Sequence, residues 1–231
     1  MQVSAGGMQP MSLCFLLRNV DVTTALLRDH IHHTGLHGQS KHMGIYHALQ
    51  KLAEQGEDVP QFGGPWFNST MQEDLICVNI TRAAANAADR AQLTQAECRM
   101  REDAYKLVAL LRKLYPEFAK ASIAEIAAQG GVRETYHIRG LYTLSGADIL
   151  GGAPCADGVA FCSHPVDIHS AQDNTQTAQY FDTPCPVPYR VMVAAGFDNL
   201  IAAGRCVSCV DEAYASMRVQ GTCMAIGEAA G

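Results

Sequence analysis

The sequence lacks the two features that most directly place a protein in or across a membrane. No apolar run approaches the ~20 residues that are needed to span a bilayer. The opening residues, MQVSAGGMQP, have no basic region followed by an apolar stretch, so they do not have the pattern of a signal peptide. We therefore expect no membrane partner and a cytoplasmic location.

Positive charge is also scarce. The 231 residues include 17 Lys and Arg against 23 Asp and Glu, which gives a formal net charge of −6. Because nucleic-acid surfaces carry a basic surplus, this balance argues against a nucleic-acid partner. The nine Cys are odd in number and scattered through a chain long enough to bury a core, which indicates reduced thiols rather than a disulfide framework.

Apolar patterning predicts both strands and helices. Strands are expected at 11–19, 75–80, 122–127 and 136–144, and helices at about 21–32, 40–56 and 94–115. Thr94 and Glu97 have the spacing of a capping box at the start of the last of these helices. The Gly and Pro content of 61–68 and of 146–188 predicts loops, and the second of these stretches has the composition of a surface excursion around a site.

The end of the chain has a different pattern. The run NLIAA at 199–203 is continuously apolar and ends at Gly204, as expected of a buried parallel strand. A polar loop and a helix of small residues, starting at Thr222, follow it. A buried strand, a glycine and a helix amino terminus can form half of a ligand crevice in an α/β sheet, although an ordinary packed strand–helix unit has the same pattern.

Several ordered motifs resemble the FAD-dependent oxidoreductase family. They are QPMSL (9–13), PWFN (65–68), GVRET (131–135), VDIH (166–169), PYR (188–190), GFDN (196–199), LIAAGRC (200–206), EA (212–213) and SMRVQGTCMAIGEAAG (216–231). Together they extend over most of the chain from residue 9 onward. The resemblance implies an oxidoreductase that uses FAD to transfer a hydride to or from a small organic substrate.

The resemblance also implies a fold of the α+β or α/β class. On this basis, residues 1–190 form an inserted substrate domain, a mixed β-sheet with helices. Residues 191–231 then form the last strand and helix of a discontinuous, Rossmann-like FAD-binding domain. The G-x-G-x-x-G fingerprint that binds the pyrophosphate in such domains does not occur in this sequence. We therefore expect a fragment of the enzyme that is inactive by itself.

The family resemblance assigns cofactor contacts near the end of the chain. Thr222, Cys223 and Met224 are similar to the segment whose backbone amides face the flavin pyrimidine, where a helix dipole stabilises the anionic reduced ring. Gly204 and Arg205 follow the expected strand, where the family approaches the ribityl–phosphate chain. Arg205 could alternatively be a surface cation.

Two further arginines are candidates for the active site. Arg218 would direct its guanidinium toward the same crevice, as a cofactor contact or a catalytic group, although it could instead neutralise Glu212 or Asp211. Arg133, in GVRET, would hold a substrate carboxylate or hydroxyl near the flavin. A structural pair between Arg133 and Glu134 is the alternative.

His169, at the end of VDIH, is the candidate acid–base residue, because an imidazole titrates near physiological pH. A histidine at the end of an apolar segment can also serve a structural role, as a satisfied core group. The spacing of Cys206 and Cys209 matches a redox C-x-x-C, but the pair follows an expected strand rather than opening a helix, which argues against redox activity.

A different function remains open for the His-rich segment at 30–47. It contains six of the nine His, and it could make the chain a non-catalytic module that binds a metal or a partner. Gly35 and Gly38 interrupt any helix there, and no cluster of Cys or carboxylates completes a metal site, so we predict no metal ligands. The oligomeric state is not determined by the sequence.

Overall fold

A four-stranded antiparallel sheet organises the first part of the computed structural model, which describes residues 8–24, 27, 42–151 and 155–231. Its strands are β1 (Cys14–Arg18), β2 (Phe62–Ser69), β3 (Leu75–Thr81) and β4 (Ser122–Ile126), in the order β2-β3-β1-β4. The strands predicted at 11–19, 75–80 and 122–127 are confirmed. Their alternating side chains bury one face of the sheet, as a half-covered antiparallel sheet requires.

Two helices cover the apolar face of this sheet. α1 (Met43–Glu54) begins after His42, whose side chain caps the first turn, and α2 (Arg90–Leu114) begins after Asp89, whose carboxylate does the same. The shared core includes Phe15, Leu17, Ile45, Leu49, Phe67, Val78, Leu107 and Leu111. Burial of these side chains holds both helices on the sheet.

The predicted capping box at Thr94 is wrong, although the helix itself is confirmed. Asp89 accepts hydrogen bonds from Ala91 N and Gln92 N, so α2 begins about one turn earlier than Thr94. Thr94 is inside the helix, where its hydroxyl donates to Arg90 O at 2.8 Å. A carboxylate at the end of the preceding loop therefore determines the start of the helix.

The loop predicted at 61–68 is also wrong, because this segment forms β2. Its glycines and proline lie in a register shift between Phe62 and Trp66, where Gly64 has a φ of +71°, and the residues on either side of them pair with β3. In that pairing Trp66 lies opposite Asn79, and Cys14 of β1 lies opposite the same Asn79. These three side chains therefore share the sheet face that α1 and α2 leave uncovered.

A second core is built from short antiparallel strands and helices. Its elements are α3 (Gly146–Gly151), β5 (Gly158–Cys162), β6 (Val166–His169), β7 (Gln176–Gln179), β8 (Cys185–Pro188), α4 (Asp211–Met217) and α5 (Gln220–Ala230). β5 pairs with β8, and β6 pairs with β7. The loop predicted over 146–188 thus contains four strands, which were missed because each is only four or five residues long and partly polar.

Two predicted strands are wrong. The segment 136–144 forms only isolated bridges, such as Gly140 with Ala194 and Leu144 with Cys209. The segment 199–203 is not a buried parallel strand, because Leu200 and Ile201 are 45% and 40% exposed and Ile201 forms a single antiparallel bridge. None of the described strands forms a ladder with this run, and its two largest side chains stay exposed.

The described fold is therefore a mixed α/β structure with antiparallel sheets. The helix predicted from Thr222 is confirmed as α5, whereas the Rossmann-like portion and the division at residue 190 stay predictions. Side chains from both sides of residue 190, including Val187 and Val191, belong to the second core. Among the described helices, none combines the length and apolar character needed to cross a bilayer.

Candidate functional site

A cleft of about 590 Å³ lies between the uncovered face of the first sheet and the β6–β7 hairpin. Trp66 and Asn79 contribute to its sheet side, and Gln176 contributes from β7. The three predicted catalytic residues, Arg133, His169 and Arg218, all line this cleft. They come from the segment after β4, from the end of β6 and from the residue after α4.

Asp167 contacts three of the polar side chains in the cleft. Its Oδ2 atom accepts from Arg218 Nη2 at 2.9 Å and contacts His169 Nε2 at 3.1 Å, and its Oδ1 atom accepts from Gln176 Nε2 at 2.5 Å. Burial raises the pKa of this carboxyl, but the hydrogen bonds from His169 and Gln176 and the charge of Arg218 lower it far more. Asp167 is therefore ionised at neutral pH, and Arg218 is its ion-pair partner rather than that of Glu212.

His169 is held neutral by its surroundings. Burial and the charges of Arg133 and Arg82 lower the pKa of His169 to about 4, although its hydrogen bond to Asp167 acts in the opposite direction. Because the Asp167 carboxylate can only accept, the imidazole donates through Nε2–H, and Nδ1 is left unprotonated. The Trp66 ring packs against the imidazole edge to face, with ring centroids 5.9 Å apart.

Two arginines, Arg82 and Arg133, lie behind the side chains that surround Asp167. Arg82 Nη1 and Arg133 Nη1 donate to the same Ser12 Oγ atom, at 2.6 and 2.7 Å, and Arg133 Nη1 also donates to Pro10 O. Arg133 is therefore not paired with Glu134, whose Oε1 lies 3.2 Å from His137 Nε2. Within the described residues, neither Arg82 nor Arg133 forms an ion pair with a carboxylate.

Arg82 was missed by the sequence analysis. It is 2% exposed, its Cζ atom lies 5.1 Å from the centroid of the Trp66 ring, and it donates to Asn79 Oδ1 and Thr81 O. A Cβ atom at Gly63 would lie 2.4 Å from Arg82 Nε, so glycine is needed at that position. The sequence signal that could have identified Arg82 is its position shortly after the apolar run at 75–80.

A smaller pocket of about 220 Å³ adjoins the cleft through Arg133, which lines both spaces. Arg205 also lines it, and its Nη1 atom donates to Val132 O. The hydroxyl of Tyr214 at this pocket is buried and has no hydrogen-bond partner among the described residues. Arg205 is thus anchored beside Arg133, at a pocket with an unused donor.

The other residues that the sequence predicted to contact a cofactor are Gly204, Thr222, Cys223 and Met224. Gly204 has a φ of +81° and precedes Arg205 in a single 3₁₀ turn that packs against α5. On α5, Thr222 is buried, Cys223 Sγ donates to Met217 O, and Met224 is 74% exposed. Their contacts with a cofactor stay predictions.

Most of the His-rich segment lies outside the described residues, including His30, His32, His33 and His37. Of the two that the structure describes, His42 is buried at the start of α1 and His47 is exposed. No group of His, Cys, Asp or Glu side chains within the described ranges has the arrangement of a metal site.

The chain was compared with known families, curated proteins and solved structures. The model of the family described as FAD dependent oxidoreductase matches residues 2–231. No curated protein and no solved structure matches the chain. Because the family match covers nearly the whole sequence, the chain belongs to the FAD dependent oxidoreductase family.

Proposed function

We propose that the cleft around Asp167 binds a small organic substrate and that the chain takes part in hydride transfer between this substrate and FAD. The observation that carries the proposal is the neutral His169, oriented by an ionised Asp167 that Arg218 holds in place. Arg133 lines both this cleft and the adjoining pocket, so the two spaces share a wall.

The adjoining pocket fits the electron-rich groups of a flavin cofactor. Its lining supplies two cations, Arg133 and Arg205, against one carboxylate, Glu134, which lies 3.2 Å from His137 Nε2. The buried Tyr214 hydroxyl offers a hydrogen bond that no described residue accepts. Phosphate oxygens and a reduced isoalloxazine ring are anionic, so cationic and hydroxyl donors suit them. When bound, FAD supplies the two-electron acceptor for the hydride that leaves the substrate carbon.

Proton transfer falls to His169 in this proposal. Its unprotonated Nδ1 accepts the proton of a substrate hydroxyl as the carbon is oxidised. Asp167 keeps the imidazole in the tautomer that has its lone pair on Nδ1. The same carboxylate stabilises the positive charge that develops on the ring as it takes up the proton. Trp66 packs against the ring and fixes its orientation.

The division of labour along the chain follows from these roles. We propose that residues 1–190 act mainly as the substrate domain and that residues 191–231 contribute to FAD binding. Arg133 and His169 in the cleft and Arg205 and Tyr214 at the pocket support this division. Arg218 of the second segment also lines the cleft and Arg133 of the first also lines the pocket, so each segment contributes to both spaces.

Cofactor binding is tested by titrating the 231-residue chain into FAD and following the flavin fluorescence. Although the missing G-x-G-x-x-G fingerprint predicts an inactive fragment, this proposal requires the chain itself to bind FAD. We expect Arg205→Gln and Tyr214→Phe each to weaken that binding about tenfold, the effect of losing roughly 1.4 kcal/mol. Arg139→Gln is the matched control, because Arg139 is exposed and does not line the cleft or the pocket. Failure of the unmodified chain to bind FAD would overturn the proposal.

The role of His169 is tested by anaerobic mixing of the FAD-loaded chain with glycolate, gluconate, ethylene glycol and sorbitol. At least one of these hydroxy compounds should bleach the visible flavin absorbance. His169→Gln should slow bleaching by about a hundredfold or more while FAD affinity stays unchanged. A His169→Gln variant that reduces its flavin at the unmodified rate would contradict the assignment.

A further inference from the structure

The cleft has an excess of positive charge. Among the side chains that line it, Arg133 and Arg218 are cations, and Asp167 is the carboxylate that faces them. Asp167 is already engaged by Arg218, His169 and Gln176. Its ion pair is therefore with Arg218, whereas Arg133 has no carboxylate within ion-pair distance among the described residues.

Both lining arginines retain hydrogen-bonding capacity. Arg133 uses Nη1 for Pro10 O and Ser12 Oγ, and Arg218 uses Nη2 for the main chain and side chain of Asp167. The Nε atom of each is buried without a partner. The remaining terminal nitrogens, Nη2 of Arg133 and Nη1 of Arg218, also have no partner within the described residues, so each arginine can donate to a ligand.

The surroundings make an unpaired guanidinium costly. Arg82 lies next to Arg133 through their shared Ser12 acceptor. Burial, followed by the charge of Arg218, lowers the pKa of Arg133 to about 10. Like charges held together in a low-dielectric site raise the free energy of the empty cleft, and an anion that enters it lowers that free energy.

We infer that the substrate carries a carboxylate group, which binds between Arg133 and Arg218. This inference rests on the proposed function, because it names the substrate class of the same cleft. A carboxylate brings one negative charge and two acceptor oxygens, which matches one uncompensated cation and one free terminal nitrogen on each arginine. A phosphate monoester brings about −1.5 to −2 charges, more than the lining compensates.

The acid–base group is a direct neighbour of this anion site. Arg218 Nη2 and His169 Nε2 contact the same atom, Asp167 Oδ2. A carboxylate held by Arg218 thus places the rest of a small molecule beside the imidazole. The anion also offsets the charges of Arg133 and Arg82, which are two causes of the low pKa of His169.

The test measures carboxylate binding by isothermal titration calorimetry on the full chain with no flavin present. Glycolate is compared with ethylene glycol and gluconate with sorbitol, because each pair differs by one carboxylate in place of a hydroxymethyl group. We expect at least one carboxylate to bind tenfold or more tightly than its neutral partner. Equal affinities within both pairs would overturn the inference, and so would tighter binding of inorganic phosphate than of both carboxylates.

Variants locate the site. Arg133→Gln and Arg218→Gln should each weaken carboxylate binding about tenfold or more, Arg133→Lys should weaken it less because it keeps the charge, and Arg139→Gln should leave it unchanged. If Arg133→Gln does not fold, the unmodified chain still provides a readout. Bound carboxylate should raise the pKa of the Cys14 thiol, which the charge of Arg133 lowers. An unchanged Cys14 pKa at saturating carboxylate would contradict the assigned place.

Failure of this inference and failure of the proposed function give different results. Neutral diols that reduce the flavin as fast as the carboxylates would retain the proposed function and remove the carboxylate site. Carboxylate binding in a chain that does not bind FAD would do the reverse.

Discussion

Arg82 and Arg133 donate to one acceptor, the hydroxyl oxygen of Ser12, at 2.6 and 2.7 Å. Two guanidinium groups with like charges are thereby held together, Arg133 in the wall of the cleft and Arg82 behind it. The arrangement depends on neutral oxygen acceptors, because within the described residues neither arginine has a carboxylate partner. Ser12 is therefore a structural requirement of the cleft.

Replacement of Ser12 by alanine should destabilise the protein. The buried Arg82 and the half-buried Arg133 both lose an acceptor, and hydrogen bonds to charged groups contribute about 1.5–3 kcal/mol each. We expect a loss of about 3 kcal/mol in the free energy of unfolding, the lower end of that range for two bonds, measured by urea denaturation. Ser163→Ala, at an exposed position, should stay within about 0.5 kcal/mol of the unmodified chain. Equal stability of the two variants would show that the Ser12 hydroxyl contributes nothing.

The pKa of the Cys14 thiol should depend on the charges of Arg82 and Arg133. A hydrogen bond from Cys77 lowers the pKa of Cys14 to about 7, and the charges of Arg133 and Arg82 act in the same direction against burial. Alkylation of Cys14 by iodoacetamide, followed by peptide mass spectrometry, should therefore rise with pH around a midpoint near 7. Cys77→Ala and Arg133→Gln should both move the midpoint upward, because each removes a group that stabilises the thiolate. Arg139→Gln should leave it in place, and a midpoint that all three variants share would contradict the prediction.

Gly63→Ala should displace the side chain of Arg82, which lies behind the cleft, and so destabilise the protein. The new Cβ atom would lie 2.4 Å from Arg82 Nε, so Arg82 would have to move from its position over Trp66. We expect a loss of about 1–3 kcal/mol in the free energy of unfolding, typical of overpacking. Gly227→Ala is the matched control, because its Cβ would meet open space on α5 and should be neutral or stabilising by up to about 1 kcal/mol. A Gly63→Ala variant as stable as Gly227→Ala would contradict the close packing of Arg82.

Stability should decrease with acidification because of His169. Its pKa is about 4 in the folded chain, against roughly 6.5 in the unfolded chain. Between these values the unfolded state binds a proton that the folded state excludes, so the free energy of unfolding falls as the pH drops from about 6.5 toward 4. His169→Gln should flatten this decline, and His164→Gln should remove a further part, because burial also lowers the pKa of His164.

The measurement is a series of urea denaturations across this pH interval. Asp167 does not interfere with it, because the pKa of that carboxyl is lowered and its contribution to stability is lost only under more acidic conditions. A His169→Gln variant with the same pH slope as the unmodified chain would contradict the prediction.

Local sequence patterns predicted the long and strongly apolar elements well. β1, β3 and α2 each have a periodic set of side chains that one buried face satisfies. β2 was missed because Gly63, Gly64 and Pro65, which form an irregularity within the strand, mask the pairing of Phe62 and of residues 66–69 with β3. The hairpin strands β6 and β7 are four residues long, and their pairing rather than their composition makes them strands.

The candidate site was likewise predicted in part from the sequence and completed only by the tertiary structure. Residue type and family resemblance selected Arg133, His169 and Arg218 one by one, with alternatives for each. Their common cleft follows from the antiparallel sheet and from the packing of α4 against β6, which are contacts between distant parts of the chain. Arg82 had no motif of its own, and its role is apparent only from its contacts with Trp66 and Ser12.

The sequence by itself determined the family, the modest net charge and the main apolar elements of the first sheet, because these depend on composition and on short-range periodicity. Only the tertiary structure decided that Asp167 joins Arg218 to His169 and that Arg82 and Arg133 share Ser12. The physical reason is that burial and pairing of charges are properties of three-dimensional neighbours. Arg218 and Asp167 are 51 positions apart and Arg133 and Ser12 are 121 apart, so these contacts form only in the folded chain.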